Sequence, residues 1–157
     1  MKHSTDLIVE AEAGAVGDVL ADLATYPHWN DVVRTAISSE TNDSMSSPAW
    51  ITTLEARVGV FARSKQLRFI RALDEPTDGG GRRIRFDRYE TDGRQHAAWT
   101  MHASVEPATA NGGTERSAVT LQLAYDGGLW TSALDPVLGA AIERATRRLA
   151  EYVASRS

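Results

Sequence analysis

The chain has 157 residues, of which 42% are hydrophobic and 24% charged, and its formal net charge is −4. This length and composition suit one globular domain, residues 1–157, and exclude a largely disordered chain. Cysteine is absent, which excludes disulfides, thiolate metal sites and a cysteine nucleophile, and the negative charge argues against nucleic-acid binding by a broad basic face.

Residues 5–11 are the first predicted element, a short strand rich in branched side chains. Its apolar centre, Leu7-Ile8-Val9, is followed at once by Glu10. An apolar run this short predicts neither a signal peptide nor a membrane span. We therefore expect a cytoplasmic protein without an integral membrane segment.

A helix is predicted from Gly14, because apolar residues recur at the spacing of one helical face, at Val16, Val19, Leu20 and Leu23. Proline disfavours helical geometry in the residue before it, so Pro27 sets the end of this helix near Ala24. Thr25 is then expected to cap a second, short helical turn that reaches Asn30.

Between residues 32 and 126 the pattern changes to strands separated by turns. We predict six strands, at residues 32–41, 49–58, 61–73, 82–91, 95–106 and 116–126. The breaks carry turn-forming residues, namely Asn42-Asp43-Ser44 with Pro48, Gly59, Pro76 to Gly81, Asp92-Gly93 and Asn111-Gly112-Gly113. Asp92-Gly93 predicts a tight hairpin, and Gly79-Gly80-Gly81 predicts a hairpin turn rather than a phosphate-binding loop.

The last predicted element is a long amphipathic helix. Asp135 is expected to be its N-cap and Pro136 its first residue. Its apolar stripe runs over four turns through Leu138, Ile142, Ala145, Leu149 and Val153. The segment 127–130 before it, which contains two glycines, is expected to be a flexible approach.

Alternation along each strand assigns side chains to two faces of a sheet. The outer face carries mixed charge, with Arg57, Arg68, Arg83 and Arg85 interleaved with Glu55 and Asp87. The other face is apolar on every strand, as an antiparallel sheet with one solvated side requires. Only the C-terminal helix is long enough to cover that apolar face. Because a wide sheet twists, we expect it to curl around this helix and enclose a cavity.

The order of elements and the segment from Ala15 to Asn30, with its Tyr26-Pro27-His28-Trp29 turn, carry a resemblance to a known family. The chain resembles the START/Bet v 1-type (SRPBCC) superfamily, and in particular its polyketide cyclase/dehydrase and lipid-transport family. The resemblance implies an α+β helix-grip fold: a curved antiparallel sheet of about seven strands wrapped around a long C-terminal helix, with two short helices after the first strand. It also implies that Tyr26, Pro27 and Trp29 close the first helices over the sheet, or alternatively lie at the cavity rim.

The candidate ligand site is the apolar interior between sheet and helix. Its expected lining is Trp29, Trp50, Leu54, Leu67, Phe69, Ile84, Phe86, Trp99, Met101, Leu121, Leu123, Tyr125, Leu138 and Ile142. Aromatic residues of this set are explained equally well as plain core. Three polar residues fall in the same inward phase, Thr52, Arg71 and Arg88. Either arginine is expected to reach solvent at a strand end or, if inward, to pair with an anionic head group.

The sequence gives little support for catalysis or for metal binding. Tyr125 is the one weak catalytic candidate, and its hydroxyl is explained as well by a ligand contact or a core hydrogen bond. His96 and His102 are placed on one strand roughly 20 Å apart, too far to share a metal. We expect no metal and no cofactor.

Three functions remain open. The first is binding or transport of a hydrophobic or amphipathic small molecule, such as a lipid, polyketide or isoprenoid, by a monomer or weak dimer that does not bind nucleic acid. The second is an enzyme of the polyketide cyclase, aromatase or dehydratase type that uses the same cavity. The third is a protein-interaction or regulatory module, which a tightly filled interior without a cavity would favour.

Overall fold

Strands and helices follow one another in the order predicted for an α+β chain. The computed structural model describes residues 2–39, 47–108, 115–126 and 131–156. Its elements are β1 (Lys2–Val9), α1 (Ala13–Ala21), a 3₁₀ helix (Leu23–His28), β2 (Val33–Ser39), β3 (Ala49–Val58), β4 (Phe61–Pro76), β5 (Arg82–Arg88), β6 (Trp99–Pro107), β7 (Ser117–Tyr125) and α2 (Thr131–Arg156). The turns predicted at 42–44 and 111–113 and the approach at 127–130 lie outside the described residues.

The strands form one antiparallel sheet in the order β1-β7-β6-β5-β4-β3-β2. The first strand pairs with the last, with Lys2 opposite Ala124 and Val9 opposite Ser117. The predicted helix-grip architecture is confirmed: two short helical segments follow β1, and the long α2 packs against the sheet.

The predicted apolar faces are buried as alternation requires. Along β7 every second residue is buried from Ser117 to Tyr125. The predicted stripe of α2 is buried at all five positions, Leu138, Ile142, Ala145, Leu149 and Val153. Sheet and helix thus bury their apolar sides against each other in one core.

Two glycine turns are required by backbone geometry. Gly59 adopts a φ of +62° in the two-residue connection between β3 and β4. In the β4–β5 connection Gly80 has a φ of +85°, and a Cβ on Gly81 would lie 2.0 Å from the carbonyl oxygen of Val105. The triple glycine is therefore a hairpin turn, as predicted.

The predicted start of the C-terminal helix is wrong. The helix α2 begins at Thr131, so Asp135 and Pro136 lie inside it rather than at its cap. Pro136 is the sixth residue of α2, where it removes one backbone hydrogen bond near the N-terminal end of the helix.

The predicted cap of the second helical segment is also wrong. Asp22, not Thr25, caps the 3₁₀ helix, since its Oδ1 accepts a hydrogen bond of 3.0 Å from the backbone N–H of Ala24. The Thr25 hydroxyl instead donates back to the carbonyl of Val19 at 2.8 Å. Asp22, which like Thr25 has a side-chain oxygen that can accept from a backbone N–H, therefore caps the helix three residues earlier than predicted.

The tight hairpin predicted at Asp92-Gly93 is a longer loop, residues 89–98, between β5 and β6. The Asp92 carboxylate accepts hydrogen bonds from the backbone N–H of Arg94 at 3.0 Å and from Nε2 of His96 at 2.9 Å. Such local side-chain bonds compete with strand pairing. His96 consequently lies in the loop and not on a strand with His102.

This loop also corrects the prediction for Arg68. Arg68 was expected on the solvated face but is only 6% exposed. Its Nη1 donates to the carbonyl of Tyr89 at 3.0 Å, and its guanidinium lies 5.8 Å from the centre of the Tyr89 ring. The chain beyond β5 therefore covers the outward side of β4 at this point.

Candidate ligand-binding site

The Tyr-Pro-x-Trp turn is held to the end of α1 by side-chain hydrogen bonds. The Tyr26 hydroxyl donates to the carbonyl of Leu20 at 2.9 Å. Trp29 Nε1 donates to the Thr25 hydroxyl at 3.3 Å, and the rings of Tyr26 and Trp29 pack with centroids 4.3 Å apart. Burial, with a smaller contribution from Asp22, raises the pKa of the Tyr26 phenol well above its usual range. The turn is a neutral, well-bonded structural unit.

An inner cavity of about 40 Å³ lies under this turn, between the sheet and α2. Its described lining is Tyr26, Trp29, Asn30, Val32, Val33, Leu54, Met101, His102, Leu121, Gln122, Leu123, Leu138 and Ile142. This volume suits a few water molecules rather than a lipid. Half of the fourteen residues expected at the site line this space, namely Trp29, Leu54, Met101, Leu121, Leu123, Leu138 and Ile142.

The other seven expected residues lie outside the described lining of the cavity. Five are buried in the core, Trp50, Leu67, Phe69, Ile84 and Phe86. Trp50 and Phe86 meet edge to face with centroids 5.5 Å apart. Trp99, which is half-buried, and Tyr125 stack with centroids 4.7 Å apart. Aromatic packing therefore fills much of the interior that was expected to hold a ligand.

An outer cleft of about 260 Å³ lies beside the cavity, between α2, the start of β2 and the end of β3. Its described walls are Asp31, Val32, Glu55, Ala56, Arg57, Val137, Ala141 and Arg144. Val32 borders both spaces. Its backbone is fixed, because its N–H donates to Asn30 Oδ1 at 3.1 Å and its carbonyl accepts from the N–H of Glu55 at 2.8 Å.

Two carboxylates at the cleft each contact two arginines. Asp31 pairs with Arg148 and, at 3.3 Å, with Nε of Arg144. Glu55 pairs with Arg34 and, at 3.5 Å, with Nε of Arg57. The cleft thus combines apolar walls with a charged rim that is rich in guanidinium groups.

Sequence reasoning did not find this cleft. It assigned Arg57 to the outer face of the sheet, and Arg144 lies off the predicted apolar stripe of the helix. One usable signal is in α2, where Val137 and Ala141 directly precede the predicted stripe residues Leu138 and Ile142. They widen the apolar face on one side, and that side is the one that borders the cleft.

The three polar candidates lie elsewhere. Thr52 is fully buried, and its hydroxyl has no hydrogen-bond partner within the described part of the chain. Nη1 of Arg71 donates to the carbonyl of Ala21 at 2.9 Å and so satisfies the end of α1. None of the three is a described lining residue of either space.

Arg88 has a side chain only 6% exposed. It donates to Glu90 at 3.1 Å and to the carbonyl of Ala97 at 3.3 Å, and its Nη2 lies 3.2 Å from Nδ1 of His96. The guanidinium therefore anchors the 89–98 loop rather than reaching solvent.

Comparison by sequence gives no match: no known family model and no curated protein matches the chain. Comparison of structures does. A START superfamily protein from Mycobacterium smegmatis matches at a TM-score of 0.60 and 17% identity, over 99% of both chains. Human StAR-related lipid transfer protein 5 matches at a TM-score of 0.76 and 12% identity, over 97% of this chain and 74% of that one.

The chain has the START/Bet v 1-like fold. A third START/Bet v 1-like structure, major latex-like protein 151 from Panax ginseng, matches at a TM-score of 0.63 and 10% identity, over 97% of this chain and 96% of that one. The structural matches show a shared fold, and at identities this low they show the fold alone. In this START/Bet v 1-like chain, neither helix of the described residues has an apolar stretch of membrane-spanning length. No cluster of three metal-binding side chains occurs among those residues either.

Proposed function

We propose that this START/Bet v 1-like chain binds an apolar or amphipathic small molecule between its sheet and α2, the class that includes lipids, polyketides and isoprenoids. The observation that carries the proposal is the outer cleft of about 260 Å³, which shares the wall residue Val32 with the inner cavity. Its volume is close to the lower end of small-molecule sites, roughly 300 Å³. Human StAR-related lipid transfer protein 5, which shares the fold, is by its name a lipid carrier.

The proposal covers the whole chain as one domain. The described core is continuous from α1 to α2 and includes residues of every strand. A cytoplasmic location, a monomeric or weakly dimeric state and no interaction with nucleic acid belong to the same proposal. The net charge of −4 supports the last point.

The test is a titration of the ¹⁵N-labelled protein with octan-1-ol, followed by NMR. Binding in the cleft should shift the amide signals of Ala56, Val137 and Ala141, while Ile8 on the far edge strand stays unchanged. Ala56→Phe should fill the cleft and abolish the shifts. Ala62→Phe, at an exposed position of the same hairpin, is the matched control and should leave them intact. Absence of saturable shifts in the parent protein would contradict the proposal.

A second candidate is a protein-interaction module without a ligand. The small inner cavity favours it, because about 40 Å³ leaves most of the interior filled by side chains. The same titration separates the two candidates. An unchanged spectrum with octan-1-ol, together with a single apo mass in native mass spectrometry, would favour the interaction module.

The cyclase, aromatase or dehydratase alternative needs an acid–base pair that faces the bound molecule. Two polar residues lining the inner cavity are already engaged. The Tyr26 hydroxyl donates to Leu20, and Asn30 Oδ1 accepts from the N–H of Val32. His102 and Gln122, the other polar residues of that lining, alternate with the buried Met101 and Leu123, so their side chains are on the opposite face of the sheet. The cleft carboxylates of Asp31 and Glu55 are paired with arginines, so binding is the function we propose.

A further inference from the structure

The rim of the outer cleft has more positive charge than its own ion pairs require. Four guanidinium groups, of Arg34, Arg57, Arg144 and Arg148, contact the two carboxylates of Asp31 and Glu55. Counted over the described residues of the rim, this local excess of two positive charges stands in a chain whose formal net charge is −4. Such a patch attracts anions.

The arginines inside and outside the cleft differ in how they contact the carboxylates. The shortest contact of Asp31 is with Arg148, and that of Glu55 is with Arg34. Neither of these arginines is a described lining residue of the cleft. Each carboxylate therefore makes its shortest ion pair with an arginine outside the cleft lining. The other arginine that it contacts, Arg144 for Asp31 and Arg57 for Glu55, lines the cleft.

The two lining arginines keep unused donors. The contacts of Arg57 and Arg144 with their carboxylates are made by Nε, at 3.5 and 3.3 Å. Among the described residues, their Nη1 and Nη2 groups have no hydrogen-bond partner. A guanidinium with a free Nη pair has the fork geometry that fits a carboxylate. Both side chains are accessible, at 76% and 47% exposed.

The rest of the cleft is apolar. Its four uncharged lining residues are Val32, Ala56, Val137 and Ala141. A ligand that uses the whole cleft needs an anionic end for the arginines and an apolar body for these residues. A purely apolar ligand would gain nothing from the guanidinium groups, which water continues to solvate, and a cationic one would be repelled by them.

We propose that the cleft selects small anionic amphiphiles, with the carboxylate of the ligand bound by Arg57 and Arg144 and its alkyl chain packed on the four apolar residues. This inference rests on the proposed binding function and adds the class of head group. It assigns specificity to Arg57, which was predicted on the outer face of the sheet, and to Arg144, which lies off the predicted apolar stripe of the helix.

The experiment compares octanoate, octan-1-ol and octylammonium by NMR titration at low salt. Octanoate should bind about fivefold to tenfold more tightly than octan-1-ol, and octylammonium should bind most weakly. The advantage of octanoate should shrink when the ionic strength rises to about 0.3 M, because screening weakens exposed charge pairs.

Variants assign the effect to the cleft. Arg57→Gln and Arg144→Gln should each weaken octanoate binding by about threefold to tenfold and leave octan-1-ol binding unchanged. Arg57→Lys keeps the charge but loses the fork, so its affinity for octanoate should be intermediate. Arg83→Gln is the matched control: it also removes one exposed positive charge, from an ion pair with Glu75, and should change neither affinity. Thermal unfolding confirms that each variant is folded.

Two results would overturn the inference. Equal affinities for octanoate and octan-1-ol, with no effect of Arg57→Gln or Arg144→Gln, would reject the head-group preference and leave the proposed function standing. No binding of any of the three probes would reject the proposed function and the inference with it.

Discussion

The hydroxyl of Tyr26 donates a hydrogen bond of 2.9 Å to the carbonyl of Leu20 and so ties the 3₁₀ helix to the last turn of α1. Both partners are buried. Tyr26→Phe should therefore lower the free energy of unfolding by about 1–2 kcal/mol, since a buried carbonyl loses a partner. Urea denaturation measures the change. Tyr152→Phe, which removes a hydroxyl at the surface bonded to Arg156, should cost less than half as much. Equal losses in both variants would contradict the assigned role.

The same tyrosine predicts a loss of stability at alkaline pH. Burial raises the pKa of Tyr26 in the folded state above the usual value, which is about 10. The unfolded chain therefore releases this proton first, and the contribution of Tyr26 is complete below about pH 10 and is lost as the pH rises further. Urea denaturation at pH 9 and pH 11 should show a smaller fall for Tyr26→Phe than for the parent. Parallel curves would contradict this.

Removing the hydroxyl of Thr52 should not destabilise the protein and should stabilise it slightly. The residue is fully buried, and within the described part of the chain Oγ1 has no hydrogen-bond partner. Thr52→Val keeps the branched shape that suits β3 and removes the unsatisfied group, so the free energy of unfolding should stay equal or rise by about 1 kcal/mol. Thr25→Val is the control. Its hydroxyl donates to the Val19 and Asp22 carbonyls, and its loss should destabilise by about 1–3 kcal/mol.

The ion pair between Arg82 and Asp74 should make the stability of the fold sensitive to acid. The Arg82 guanidinium binds Asp74 through two hydrogen bonds of 2.6 and 2.7 Å, and the pKa of Asp74 is lowered chiefly by this bonding. The stabilising contribution is present above the usual carboxyl pKa, about 4, and is lost as the pH falls further. In Arg82→Gln, NMR titration should find the pKa of Asp74 nearer its usual value. An unchanged pKa would show that Arg82 is not the cause.

Shortening the side chain of Val32 should join the inner cavity to the outer cleft. Val32 borders both the inner cavity and the outer cleft, while its backbone is held by Asn30 and Glu55. Val32→Ala should join the two volumes, tighten binding of decan-1-ol relative to octan-1-ol, and destabilise the fold by about 1 kcal/mol. Val60→Ala, at a position 94% exposed, should change neither. A loss of binding in Val32→Ala would show that Val32 is a contact rather than a wall.

The fold followed from local patterns because those patterns report burial directly. The alternation that ends at Tyr125 and the stripe from Leu138 to Val153 each describe one buried face. The helix caps were harder to predict, since Asp22 and Thr25 have similar capping chemistry and only the backbone geometry separates them.

The outer cleft depends on contacts between distant parts of the chain. Val32, Ala56 and Ala141 come together only when the start of β2, the end of β3 and the middle of α2 are in place. The irregular register between Val33 and Thr35 affects the same region. Neither the spacing of these residues nor their types indicates that they share a wall.

The pairing of β1 with β7 has a consequence for how the protein is made. The strand partner of Lys2 is Ala124, more than a hundred residues later. During synthesis the first strand therefore lacks this neighbour until β7, more than a hundred residues later, has left the ribosome. Contacts this distant in sequence slow folding, because a long loop must close before they form. The nascent chain accordingly carries an unpaired first strand, with the apolar residues Leu7, Ile8 and Val9 at its end, until the final strand arrives to pair with it.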